Sequence, residues 1–140
     1  MTSTIIAPAS APGRGGISVI TLSGPLAVKV GEALCGRLEK PWKLKHCKIK
    51  RKDGNVIDTG LVVFFKSPNS YTGEDVVEIH SHGNPRIVDL IVEEGVTCGA
   101  EIAGPGEFTK RAYLNNKICL LYTSDAADEG LGVDLGGRRI

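Results

Sequence analysis

Apolar positions along the chain follow two periods, and the switches between them mark out the elements. Thr4–Ala9 and Gly16–Ser23 are rich in β-branched residues and predict two strands about the glycine-rich turn Pro12-Gly13-Arg14-Gly15-Gly16. After Ser23 the period lengthens. Leu26, Val30, Ala33 and Leu34 recur at helical spacing, with Pro25 as an early helix residue and Gly36 as the stop. Leu44–Arg51 and Val56–Lys66 predict a hairpin around Asp53-Gly54-Asn55. Val62–Phe65 is an unbroken apolar run, as expected of a central strand covered on both faces. Beyond the Ser67–Ser70 loop, Asp75–His82 predicts another strand. Asn84 is placed to cap a helix with Pro85 in its first turn, and Ile87, Val88, Leu90, Ile91 and Val92 supply its buried side. A short strand near Ala100–Ala103 follows. Pro105-Gly106-Glu107 then opens a last helix carrying Phe108, Ala112 and Leu114. The expected class is α+β, a mixed sheet with flanking helices.

Composition narrows this little. A chain of 140 residues, 41% hydrophobic and 24% charged, suits one soluble domain with a modest core. Runs such as Leu61–Phe65 are too short to span a bilayer, and no basic segment leads into an apolar stretch at the N-terminus, so a cytoplasmic location without membrane contact is expected. The four cysteines (Cys35, Cys47, Cys98, Cys119) show no paired spacing and read as small buried hydrophobes.

Charge changes the picture in one place. The formal net charge is +1, which is not that of a nucleic-acid-binding domain. Residues 43–52, however, hold Lys43, Lys45, Lys48, Lys50, Arg51 and Lys52. Two readings stay open: contact with RNA phosphates, or an edge strand whose lysines discourage unwanted pairing.

The candidate chemistry lies in three places. The string G-x-x-x-x-G-K-[ST], whose backbone and lysine converge on nucleotide phosphates, occurs nowhere, so no GTP or ATP site is expected in this chain. Glu78-Ile-His80-Ser-His82 puts three potential ligands at alternate positions on one strand face. That spacing can hold a metal; against this, alternate positions on one strand face also simply place polar residues toward a cleft. A carboxylate such as Glu78 can also accept two parallel hydrogen bonds from an amidine-like edge, as a pterin presents. Arg111 and Lys117 are candidates to complement an anionic tail, although a lysine at a helix end also suits the helix dipole.

Four segments, taken in order, resemble the MnmE/TrmE family. They are Ile5-Ile-Ala-Pro-Ala9 with Pro12-Gly-Arg-Gly-Gly-Ile-Ser-Val-Ile20, the Asp53-Gly-Asn55 hairpin, Ser67-Pro-Asn-Ser-Tyr-Thr-Gly-Glu-Asp-Val-Val-Glu-Ile-His-Ser-His-Gly-Asn84, and Pro105-Gly-Glu-Phe-Thr-Lys-Arg-Ala-Tyr-Leu-Asn-Asn-Lys117. The resemblance covers about residues 1–118. It implies a domain similar to the folate domain of aminomethyltransferases, which binds a tetrahydrofolate derivative (5-formyl- or 5,10-methylene-tetrahydrofolate) and dimerises. The parent protein it implies adds a helical domain and a G domain using GTP, Mg2+ and K+. That parent works with the MnmG/GidA flavoprotein to modify the wobble uridine of certain tRNAs, a 5-carboxymethylaminomethyl-type modification. This fragment alone is expected not to catalyse. By position, the resemblance carries folate contacts to Glu78 for the pterin edge, Lys117 as the basic partner, and Thr21. At Thr21 the family pattern commonly has arginine, and a hydroxyl replaces its charged fork. It also makes a metal site at Glu78, His80 and His82 less expected, leaving a dimerisation scaffold without folate as the other alternative.

From Cys119 the periodicity ends. Cys119-Leu-Leu-Tyr-Thr-Ser-Asp-Ala-Ala-Asp-Glu129 resembles the translation of a transposon-type sequencing adapter, and Gly132–Ile140 resembles its index side. Residues 119–140 are therefore expected to be a non-native, disordered tail, with the authentic sequence continuing differently after Ile118.

Overall fold

The computed structural model describes residues 3–9 and 16–116. Lys117, the 119–140 tail, Cys119 and Pro12–Gly15 of the glycine-rich turn lie outside the described residues.

Six strands form one mixed sheet: β1 (Ile5–Pro8), β2 (Ile17–Ser23), β3 (Lys45–Lys50), β4 (Val56–Phe65), β5 (Val76–His82) and β6 (Glu101–Ile102), in the order β3-β4-β5-β2-β1-β6. Every neighbouring pair is antiparallel except β1 with β6. Three helices complete the fold: α1 (Ala27–Cys35), α2 (Pro85–Thr97) and α3 (Glu107–Leu114). The α+β architecture expected from the sequence is the one observed.

Period-two alternation sends Ile20 and Leu22, Val62 and Phe64, Val77 and Ile79, and Cys47 and Ile49 to one side. Ala27, Val30 and Leu34 of α1 and Val88 and Ile91 of α2 pack against them in a single core. Cys35 and Cys47 belong to this core as expected, while Cys98 is only partly buried. Val62, Val63 and Phe64 are all buried, so the apolar run of β4 is covered on both faces.

Local signals account for most boundaries. The Asn84 side chain accepts the Arg86 N–H at 2.8 Å, with Pro85 as the first helical residue. Asp53 turns the β3–β4 hairpin by accepting the Asn55 N–H at 2.9 Å. The start of α1 differs from expectation. Thr4, more than twenty residues away, accepts the Leu26 N–H at 2.7 Å and holds Pro25 and Leu26 in a turn ahead of the helix. The buried stripe therefore runs Ala27, Val30, Gly31, Leu34, Cys35, and leaves Leu26 and Ala33 exposed.

Candidate functional site

The second sheet face, opposite α1 and α2, carries the candidate residues. Register places Thr21 directly opposite Glu78, and Glu78 opposite Val63, with Ala7 beyond Thr21. One row along, Val19, His80, Leu61 and His46 stand in line. Thr21 and Glu78 are thus brought together as cross-strand neighbours, whose Cβ atoms in such ladders lie about 5 Å apart.

Glu78 is half-buried, its side chain 34% exposed. His80 Nε2 faces its Oε1 at 3.3 Å. Among the described residues no lysine or arginine pairs with Glu78. A carboxylate offers about four acceptor positions, so Glu78 retains capacity for further donors.

Glu78, His80 and His82 share a face, as their spacing requires, yet they do not converge. The His82 ring turns to Asp58, donating from Nδ1 at 2.9 Å, while the His82 N–H donates to the other Asp58 oxygen at 2.9 Å. Among the described residues no three His, Cys, Asp or Glu side chains gather as a metal ion would need. Partial burial pushes the Asp58 carboxyl up, but hydrogen bonds from His82 and from the Thr59 N–H outweigh this and hold it below the usual carboxylate range. Sequence reasoning passed over Asp58. Its signal is a lone charged residue inside a strand that is otherwise uncharged.

Gly60 governs this part of the sheet. A Cβ added there would lie 2.0 Å from the His80 carbonyl oxygen, so the close approach of β4 to β5 beside the site requires glycine.

A polar clasp closes the far end of the same face. Ser23, two residues from Thr21, meets the Thr72 hydroxyl at 2.7 Å and donates to Glu74 at 2.7 Å. Arg111 of α3 donates to Glu74 at 3.1 Å, to Glu107 at 3.0 Å, and to the Ser3 carbonyl at 2.6 Å. Its side chain is only 7% exposed. This corrects the expectation that Arg111 complements an anionic ligand, because its donors are spent inside the protein. Asn115 ties the end of α3 to the Thr72 carbonyl at 2.8 Å. Lys117 lies outside the described residues, so its place relative to Glu78 is not part of this geometry.

Fold and face together define the class: an α+β domain with a six-stranded mixed sheet, helices α1 and α2 on one face, and a carboxylate–imidazole group on the other. The family model described as GTP-binding protein TrmE N-terminus matches residues 4–117, and the chain belongs to this family. Similar curated proteins are each named tRNA modification GTPase MnmE. The relative from Neisseria meningitidis is 46% identical over 125 residues, covering 89% of this chain and 28% of the relative. That from Haemophilus influenzae is 44% identical over 129 residues, 91% of this chain and 28% of its own length. That from Neisseria gonorrhoeae is 43% identical over 135 residues, 96% and 30% respectively. The chain thus spans less than a third of the length of these relatives. Their alignments run past Ile118, whereas the family model stops at residue 117.

Proposed function

We propose that the Glu78 face binds the pterin of a tetrahydrofolate one-carbon carrier, as the folate-binding N-terminal domain of a tRNA wobble-uridine modification GTPase. The observation that supports this most is Glu78 itself, half-buried, next to Thr21, and paired with no lysine or arginine among the described residues. An acid so placed is suited to a flat ligand edge offering two parallel N–H donors. Lys117 is the proposed basic partner for the ligand, and Thr21 contributes a single hydroxyl. The domain also serves as the homodimer interface. The relatives' name gives a tRNA modification GTPase; for the whole protein we further propose Mg2+ and K+ alongside GTP, the MnmG/GidA flavoprotein as partner, and a cytoplasmic location. Residues 119–140 are proposed to be non-native, which sequencing the source DNA across the Ile118 codon tests. No helix among the described residues is long and apolar enough to cross a membrane.

Calorimetric titration of the chain with 5-formyl-tetrahydrofolate tests the ligand. One site per chain, weakened at least tenfold by Glu78→Gln, is expected; no heat of binding would reject it. A second reading, a dimer scaffold that has lost folate, draws on Thr21. Dimers in sedimentation with no folate response would favour it.

A further inference from the structure

The basic strip at residues 43–52 holds six of the seventeen lysines and arginines and none of the sixteen acids. The rest of the chain therefore carries eleven positive against sixteen negative residues, and positive charge is concentrated in one ribbon. The structure puts the centre of that ribbon, Lys45–Lys50, on β3, the outer strand of the sheet, with Lys43, Arg51 and Lys52 flanking it. Lys43, Lys45, Lys48, Lys50, Arg51 and Lys52 are all exposed. Among the described residues none of them forms an ion pair with a carboxylate. Lysines on an exposed strand edge also discourage unwanted pairing. Six cations lie within ten residues with no carboxylate paired to them among the described residues, the Lys45 ammonium donating instead to the Arg37 carbonyl, and a polyanion is the partner whose charge complements such a strip.

Cys47 and Ile49 point into the core, so Lys48 and Lys50 alternate onto the opposite face, the face of Glu78. His46 stands in the same row as Leu61 and His80. Strands lie about 4.8 Å apart, so β3 is about 10 Å from β5 across one shared surface.

We infer that β3 and its hairpin are a docking surface for the phosphate backbone of RNA, lying on the same sheet face as Glu78. The site stands on charge and register. Only the choice of tRNA as the RNA rests on the function proposed above. A strand docked this way brings a nucleic-acid backbone alongside the Glu78 row without entering it. Recognition by lysines alone is sequence-tolerant and strongly dependent on salt.

The test uses the whole chain with fluorescently labelled unfractionated tRNA, read by anisotropy from about 50 to 200 mM salt. Two variants with equal loss of charge are compared: Lys48→Gln/Lys50→Gln on β3, and Lys29→Gln/Arg86→Gln on the helix side. The β3 pair is expected to weaken binding at least about tenfold and to lower the salt slope by about two, against under twofold for the helix pair. Absence of tRNA binding by the unaltered chain, equal losses in both variants, or binding to polyglutamate as tight as to tRNA would overturn the proposal. So would a β3 variant that self-associates while binding tRNA unchanged, since that is the behaviour of mere edge protection. Folate titration of the β3 variant separates this site from the other: an intact folate response with lost RNA binding is expected.

Discussion

Thr21 and Glu78 face each other across the β2–β5 ladder, one a short hydroxyl and the other a half-buried carboxylate. The resemblance of the sequence to its family implied an arginine at Thr21, and the register shows where such a side chain would start.

Thr21→Arg is therefore expected to tighten binding of 5-formyl-tetrahydrofolate. A hydrogen bond to a charged group contributes about 1.5–3 kcal/mol, roughly ten- to 150-fold in the dissociation constant. Fluorescence titration checks it. Weaker binding would mean that the new guanidinium closes on Glu78 and excludes the ligand.

Arg111 joins α3 to Glu74, Glu107 and the Ser3 carbonyl at the centre of the clasp. Arg111→Met leaves the mostly buried Glu74 and the more exposed Glu107 without their cation. Breaking such a pair from one side costs about 3–5 kcal/mol, and urea unfolding should show it. A cost under about 1 kcal/mol would show that solvent reaches the clasp.

Gly60→Ala forces a methyl group against the His80 carbonyl. A loss of at least about 2 kcal/mol is expected, since the neighbour is backbone and cannot swing away. An alanine variant that melts with the parent would contradict this account of the β4–β5 approach.

Two carboxyls, Asp58 and Glu107, are expected to contribute to acid sensitivity. Asp58 is depressed as described, and the Glu107 carboxyl is held down first by the Gly104 N–H and then by Arg111. An acid with a lowered folded pKa adds stability above its ordinary value, 3.8 for Asp58 and 4.5 for Glu107. That contribution disappears as pH falls through the folded value. The melting temperature should hold steady down to about pH 5 and drop below it, and Asp58→Asn should flatten the drop. An identical acid slope in the variant would remove Asp58 from the explanation.

What was legible in the sequence was what neighbouring residues decide. Asp53-Gly54-Asn55 and Asn84-Pro85 act within a few positions, and both form the turn and cap that their chemistry requires. Alternation in β5 is enough by itself to put Glu78, His80 and His82 on one face. The misses depended on distant partners. Thr4 shifts the start of α1 from the far side of β2. Arg111 is absorbed by Ser3, Glu74 and Glu107, and His82 is claimed by Asp58. No local pattern carries such pairings, because most of them join segments far apart in the chain.

The central claim is that Glu78 anchors a folate on this face. The most direct test is the melting temperature of the chain with and without saturating 5-formyl-tetrahydrofolate, for the parent and for Glu78→Ala. Ligand at about a hundred times its dissociation constant stabilises by about 2.7 kcal/mol, so a shift of several degrees is expected in the parent and none in a folded Glu78→Ala. A shift of equal size in both proteins would contradict the account.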